Sequence, residues 1–295
     1  MNHPRINKDR NSFVIHHNKS IGTAYRFWSP NYNIHFGYWS WGLNPFDRES
    51  MLEALNEEVR KALALPHKAG IKLLDAGCGT GATLRYLAKR MPQPELHGIS
   101  LAPELMELGK QLTPHSTSIA FHLGDFQAMP FPDGSFDAIV AMESVCYGSG
   151  ADKATTAAEF SRVLADNGRL VVVDVFRRSE KELPWPFAKL MKKIEKHWAI
   201  ESTGVLPAFI GQLAQNGFEV QTVRDLSLNA MASAAQIPWV VLRLLLSALL
   251  RSDENRKGKL EYASALGTTL LTGLLAPFMG YYLIAATKRP PVGDK

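Results

Sequence analysis

The sequence predicts an α/β protein built on a Rossmann-like, mostly parallel sheet, and three observations carry that reading. An apolar run over 71–74 is closed by Asp75 and followed by Gly77, Gly79 and Gly81; Leu84, Leu87, Ala88 and Met91 then recur at helical spacing. Further short apolar runs alternate with helical segments through the middle of the chain. A last stretch, 281–288, follows breaks at Pro277 and Gly280 and reads as an antiparallel closing strand.

Residues 1–13 are polar, lack the apolar core of a secretion signal, and read as a partly disordered lead-in. From 21 to 45 aromatic residues are dense, among them Tyr32, Phe36, Tyr38, Trp39 and Trp41; they are either anchors of an N-terminal cap or a ligand lid. Ser50 and Glu53 read as a capping box, with Leu52, Leu55, Val59 and Leu63 on the core face of a helix that Pro66 ends. After the glycine turn, strands are expected over 95–99, 119–122, 135–142, 169–175 and 218–223. Pro103 starts a helix, and another closes over 162–167 with Gly168 beyond its end.

Phe187, Leu190, Met191, Ile194 and Trp198 form an apolar stripe with Lys189, Lys192, Lys193 and Lys196 on other faces. Such a helix either packs on one side or lies peripherally on an anionic membrane. Residues 237–250 are leucine-rich, and 265–286 form an uncharged run that hydropathy alone would flag as a span. Pro277 and Gly280 break it, so it reads as a buried helix and a strand, with a transmembrane helix as the alternative. These pieces predict an apolar helical cap between the sixth and seventh strands.

With 46% hydrophobic and 21% charged residues over 295 positions, the chain can bury a sizeable core. A net charge of +5 permits anionic lipid or phosphorylated ligands without pointing to nucleic acid. Cys78 and Cys146 are too few and too embedded for a disulfide framework, which points to a reducing, cytoplasmic compartment. No cluster of His and carboxylates suggests a metal. The glycine spacing is not G-x-G-x-x-G and no Gly-Lys-Ser/Thr follows, which points away from NAD and ATP.

The stretch 74–82, Leu-Asp-Ala-Gly-Cys-Gly-Thr-Gly-Ala, resembles the first motif of class I S-adenosylmethionine-dependent methyltransferases. The resemblance implies their seven-stranded sheet with one antiparallel strand and S-adenosyl-L-methionine as cofactor. It places Asp75 near the methionine end, with Gly77, Cys78, Gly79 and Gly81 offering backbone to the ligand. Residues 98–103, Gly-Ile-Ser-Leu-Ala-Pro, are similar to a stretch of the γ-tocopherol methyltransferase group in which a hydroxyl replaces the usual acid; Ser100, with Leu101 beside it, then meets the ribose. By the same resemblance Asp125 accepts from the adenine amino group and Phe126 lies near the ring. Residues 35–39 resemble a segment that covers cofactor and substrate in lipid and quinol methyltransferases, which implies that Tyr38 and Trp39, with Tyr32 of the same aromatic stretch, meet the substrate; so does Tyr147, which stands where sterol and tocopherol relatives often carry histidine or another polar residue.

Glu143, a carboxylate between apolar neighbours at a strand end, is either catalytic or structural. The domain reading is a lid and helix over 1–68, a cofactor core over 69–225, a cap over 226–279, and a closing strand and tail over 280–295. The expected reaction is methylation of a hydrophobic small molecule, at carbon in an isoprenoid, quinol or sterol-like acceptor with Glu143 as base. The alternatives are O- or N-methylation of a polyketide or other natural product with His35 as base, or a non-catalytic, membrane-associated lipid-binding protein.

Overall fold

The computed structural model describes residues 8–250 and 256–290. Helix α1 (Lys8–Ile21) leads through a 3-10 turn (Gly22–Phe27) to α2 (Arg48–Leu63). The first parallel units follow as β1 (Lys72–Ala76), α3 (Ala82–Ala88), β2 (Glu95–Ser100), α4 (Pro103–Leu112) and β3 (Ile119–Leu123). Next come β4 (Phe136–Met142), α5 (Ala154–Val163), β5 (Leu164–Arg177), α6 (Trp185–His197), β6 (Gly204–Val205), α7 (Leu206–Gln215) and β7 (Phe218–Asp225). The cap is α8 (Ser227–Ala234), α9 (Ile237–Leu250), α10 (Arg256–Leu270) and a 3-10 turn (Leu271–Leu275), after which β8 (Met279–Lys288) closes the sheet.

The strand order is β3-β2-β1-β4-β5-β8-β7, with β8 antiparallel to both neighbours and the other pairings parallel. The short β6 pairs with the end of β5 and is an addition to the expected seven strands. Both faces of the sheet are buried, so its central strands are apolar at nearly every position. Leu73, Val140, Val171 and Leu283 face α2 and α3, while Leu74, Ile139, Leu170 and Ile284 face α5 and α7. Helix α2 is therefore part of the sheet's core as well as the base of the lid.

Several local expectations change. The partly disordered lead-in gives way to helix from Lys8 onward, and its first seven residues lie outside the described ones. Asp47, not Ser50, caps α2: Ser50 N donates to its Oδ1 at 3.1 Å, and Ser50 Oγ to its Oδ2 at 2.6 Å. Helix α5 stops at Val163 because Leu164 enters the core and already pairs with Phe136. The chain between them forms a tight irregularity, where a Cβ on Gly168 would stand 2.7 Å from the Ala165 carbonyl. Pro103 occupies the first turn of α4 as expected.

The run 265–286 divides into the end of α10, the 3-10 turn and most of β8, because the last part is claimed by sheet pairing to β5 and β7. Among the described residues one helical stretch, Ser227–Leu250, is long and apolar enough to cross a membrane by length and composition. Its inward positions Ile237, Val240 and Leu244 pack with Ile21, Tyr25, Trp28 and Tyr262, so the cap is seated on the lid.

Helix α4 is held against the glycine turn by a missing side chain: a Cβ on Gly109 would lie 2.5 Å from the Thr80 carbonyl oxygen. Gly109→Ala gains up to about 1 kcal/mol of helix propensity but forces a backbone displacement of the kind that costs about 1–3 kcal/mol. The net expectation is a lower urea midpoint than wild type; an unchanged or higher midpoint would show that the contact yields freely.

Candidate active site

The site lies beyond the carboxyl ends of the parallel strands, where strand order reverses between β1 and β4. A cavity of about 1070 Å³ runs from the glycine turn to the underside of α8, α10 and the 3-10 turn after it. Its two ends differ in chemistry, carboxylates and backbone at the sheet and aliphatic and aromatic side chains at the cap.

The glycine turn is shaped mainly by protein contacts. Gly77, at φ +94°, leaves room for Ser144, whose Cβ would be 2.3 Å from an added Cβ, and Gly81, at φ +70°, leaves room for Phe121 at 2.9 Å. Gly77 and Gly79 border the cavity and Gly81 does not. Gly79 alone of the three has no atom nearer than 3.9 Å to the position of a Cβ, so it presents the open backbone that the motif suggested. Cys78 also borders the cavity; its thiol is buried, and burial pushes its pKa up.

Asp75 ends β1 as a buried carboxylate, and burial, with no neighbouring charge or hydrogen bond offsetting it, pushes its pKa up to about 7. Ser100 and Leu101 border the same end, with Ser100 Oγ accepting from Ala102 N at 3.2 Å. Phe126 borders the cavity and Asp125 does not. Asp125 Oδ1 accepts from Gln127 N at 3.0 Å and Oδ2 accepts from Asn11 Nδ2 at 3.2 Å. The second of these bonds links the carboxylate to α1, a helix the sequence reading did not foresee.

Glu143 follows β4 at φ +47°, a left-handed conformation that side chains rarely adopt. Its Oε1 accepts from Phe36 N and from the Tyr281 hydroxyl, both at 2.7 Å. Both of these bonds fall on Oε1, and Oε2 takes part in neither. Burial pushes the Glu143 pKa up to about 7 against those two hydrogen bonds, with the Asp174 charge adding to the rise. His35 is tied to the same residue: its Nδ1 donates to the Phe36 carbonyl at 2.7 Å, which leaves the lone pair on Nε2. That Nε2 is buried without a partner, and burial lowers the His35 pKa to about 4.

Of the aromatic substrate residues expected, Tyr32 and Tyr147 border the cavity and Tyr38 and Trp39 do not. The chain leaves the cavity at Gly37, where a Cβ would be 2.5 Å from Met51 Cβ and where the backbone N–H donates to Ser233 Oγ at 2.9 Å. Beyond it, Tyr38 OH accepts from Arg224 at 3.2 Å, and Trp39 Nε1 donates to the Leu43 carbonyl at 2.9 Å. Tyr25, Trp28, Phe36 and Tyr262 line the cavity in their place.

Tyr281 and Asp174 are site residues that the sequence reading missed. Asp174 Oδ2 accepts from Cys146 N at 2.9 Å and Oδ1 from Val175 N at 2.7 Å, and burial pushes its pKa up to about 6. A carboxylate inside the run Val-Val-Val-Asp-Val-Phe was a usable signal. Tyr281 carried none, because a strand pattern does not say which distant carboxylate a hydroxyl will meet. Lys153 is fully buried beside Asp174 and donates to the Gly148 and Ser202 carbonyls at 2.6 and 2.7 Å, which shapes the loop after β4.

Asp75, Glu143 and Asp174 make the sheet end of the cavity acidic, the charge that complements a sulfonium and an α-ammonium group. An unpaired buried carboxylate at Asp75, open backbone at Gly79 and the hydroxyl of Ser100 fit S-adenosylmethionine at this end.

The Rossmann-like fold is shared with solved structures: the cyclopropane synthase MmaA2 from Mycobacterium tuberculosis superposes with a TM-score of 0.78 at 16% identity, over 94% of this chain and 98% of that one. Residues 74–172 match the family described as a methyltransferase domain. The 2-methyl-6-phytyl-1,4-hydroquinone methyltransferase of Synechocystis sp. (strain ATCC 27184 / PCC 6803 / Kazusa) is 32% identical over 50% of this chain and 46% of that protein. The probable chloroplastic tocopherol O-methyltransferase of Oryza sativa subsp. japonica is 30% identical over 60% of this chain and 51% of that protein. The chain spans about half the length of these curated relatives.

The Asp75 carboxylate contributes stability while protonated and loses it as pH rises through about 7, its raised folded-state pKa. Asp75→Asn should therefore stabilise the ligand-free protein at pH 8, by on the order of 3 kcal/mol, and by clearly less at pH 5. Urea denaturation at the two pH values measures this; equal effects at both would mean that Asp75 is not a desolvated acid.

Proposed function

We propose that the chain is an S-adenosylmethionine-dependent methyltransferase acting on a hydrophobic small molecule, and that the acceptor is methylated at carbon in an isoprenoid, quinol or sterol-like compound. The observation that carries this reading is the single cavity that joins an acidic, glycine-lined end to an apolar cap across Glu143. Its volume, about 1070 Å³, lies at the upper end of small-molecule sites, consistent with room for a donor and an acceptor together. The phytyl hydroquinone and tocopherol named for the two relatives support a long apolar acceptor. The free cysteines suit a cytoplasmic compartment, and the apolar cap suits peripheral contact with a membrane.

Asp75, the backbone at Gly77 and Gly79, and Ser100 would hold the cofactor, which when bound supplies an electrophilic methyl group on a sulfonium. The cap and lid orient the acceptor and exclude water, which is most of what in-line displacement requires. If the acceptor's carbon–carbon double bond supplies the attacking pair, the new C–C bond forms as the S–C pair stays on sulfur, and a carbocation is left on the acceptor. Faces of Trp28, Phe36 and Tyr262 are placed to stabilise that charge. Oε2 of Glu143 then takes a proton from the neighbouring carbon and restores the double bond, while Phe36 N–H and Tyr281 O–H hold Oε1 in place.

His35 supports a second reading. Its unpartnered Nε2 could accept a proton from a hydroxyl acceptor, although burial makes it a weak base. The two readings differ in product: radiolabelled methyl should enter a prenylated quinol or prenyl diphosphate through a carbon bond on the first, and only a polar phenol on the second. Glu143→Gln should lower kcat by about 10²–10⁴-fold while binding of S-adenosylhomocysteine, read by calorimetry, stays intact. Near-normal turnover in that variant removes Glu143 as the base, and no affinity of the wild-type chain for S-adenosylhomocysteine removes the methyltransferase reading itself.

A further inference from the structure

The cap helices bury one face and leave a second, equally apolar face in solvent. On α9, Trp239, Leu246, Leu249 and Leu250 are 59%, 45%, 71% and 80% exposed, although Val240 and Leu244 between them are fully buried. Arg243 is the only charged residue between Ser227 and Leu250. Monomeric soluble proteins rarely leave so many large apolar side chains together in water without a partner for them.

The cavity opens into this surface. Leu228 and Met231 on α8 and Leu270 at the end of α10 border the cavity and are also 79%, 61% and 44% exposed, so its mouth has an apolar rim. Beside the rim, α6 packs Met191 and Ile194 onto Leu275 and Met279 and turns Lys189, Lys192, Lys193 and Lys196 to solvent. Its glutamate, Glu195, is turned inward, with Oε1 accepting from Thr203 N at 2.7 Å. Trp185, at the start of α6, is 75% exposed with Lys189 over its ring, an aromatic and cationic pair of the kind that settles at a lipid interface.

From this juxtaposition we infer that α8, α9 and the 3-10 turn after α10 form a docking face for an anionic lipid bilayer, with the lysines of α6 on the headgroups and the cavity mouth against the acyl layer. A hydrophobic acceptor then passes from the bilayer into the cavity without crossing water, a consequence that rests on the methyltransferase reading, whereas the docking itself does not. A second copy of the chain fits the face less well, because two-fold pairing would bring both sets of α6 lysines onto one rim.

The test is co-sedimentation of the full chain with vesicles of phosphatidylcholine alone or mixed with phosphatidylglycerol. Wild type should partition onto the mixed vesicles and about tenfold less onto the neutral ones. Leu246→Glu combined with Leu249→Glu should lower partition about tenfold or more, and Lys192→Glu combined with Lys193→Glu should remove the preference for the anionic lipid. S-adenosylhomocysteine affinity and thermal midpoint, measured on every variant, identify any that fail to fold. Absence of wild-type partition, or partition insensitive to the leucine changes, overturns the inference. So does a concentration-dependent dimer that those changes dissociate in the absence of vesicle binding. Loss of S-adenosylhomocysteine binding by the wild type would instead overturn the catalytic reading and leave the docking face standing.

Discussion

One carboxylate oxygen ties together three distant parts of the chain. Oε1 of Glu143 accepts from Phe36 N, 107 residues upstream, and from the hydroxyl of Tyr281, 138 residues downstream. Phe36 belongs to the lid, Glu143 to the end of β4 and Tyr281 to the start of β8, so both bonds form only when the sheet is complete and the lid is down. Burial opposes the charge that accepts these bonds, and the balance leaves the group titrating at about 7. A left-handed backbone at Glu143 is maintained because the following residues are also engaged: Ser144 Oγ donates to the Ala76 carbonyl at 2.5 Å and Cys146 N donates to Asp174 at 2.9 Å.

The same economy of space shapes the rest of the sheet end. Gly77 has no side chain because Ser144 takes its place, and Gly81 none because Phe121 does. The loop after β4 is thereby locked to the loop after β1. Three carboxylates converge where the strand order reverses, and only two of them, Glu143 and Asp174, have protein donors. The third, Asp75, has no such donor, and an unpaired buried charge is costly until something pairs with it.

Farther out, the exposed side of α9 in the cap is mostly apolar. Its inner side chains join Tyr25, Trp28 and Tyr262 to close the cavity roof, and its outer side chains stay apolar. In an ordinary surface helix the outer positions would carry charge. Roof and outer surface meet at the cavity mouth, where Leu228, Met231 and Leu270 belong to both.

The sequence by itself determined the sheet, the closing strand, the glycine turn and the apolar character of the cap, because each rests on local spacing or on backbone conformations open mainly to glycine. Strand periods placed Asp75 and Glu143 at the carboxyl ends of β1 and β4. Only the tertiary structure decided which aromatics face the cavity: a close contact at Gly37 sends Tyr38 and Trp39 away, while Trp28 of the same lid and Tyr262 of the distant α10 line it. It also decided that Asp125 meets Asn11, that Tyr281 meets Glu143, and that Leu249 points outward while Leu244 points in. A residue's type and its neighbours in the chain set how its backbone runs. Which partner waits across the cavity depends on segments a hundred or more residues away, and packing alone selects among them.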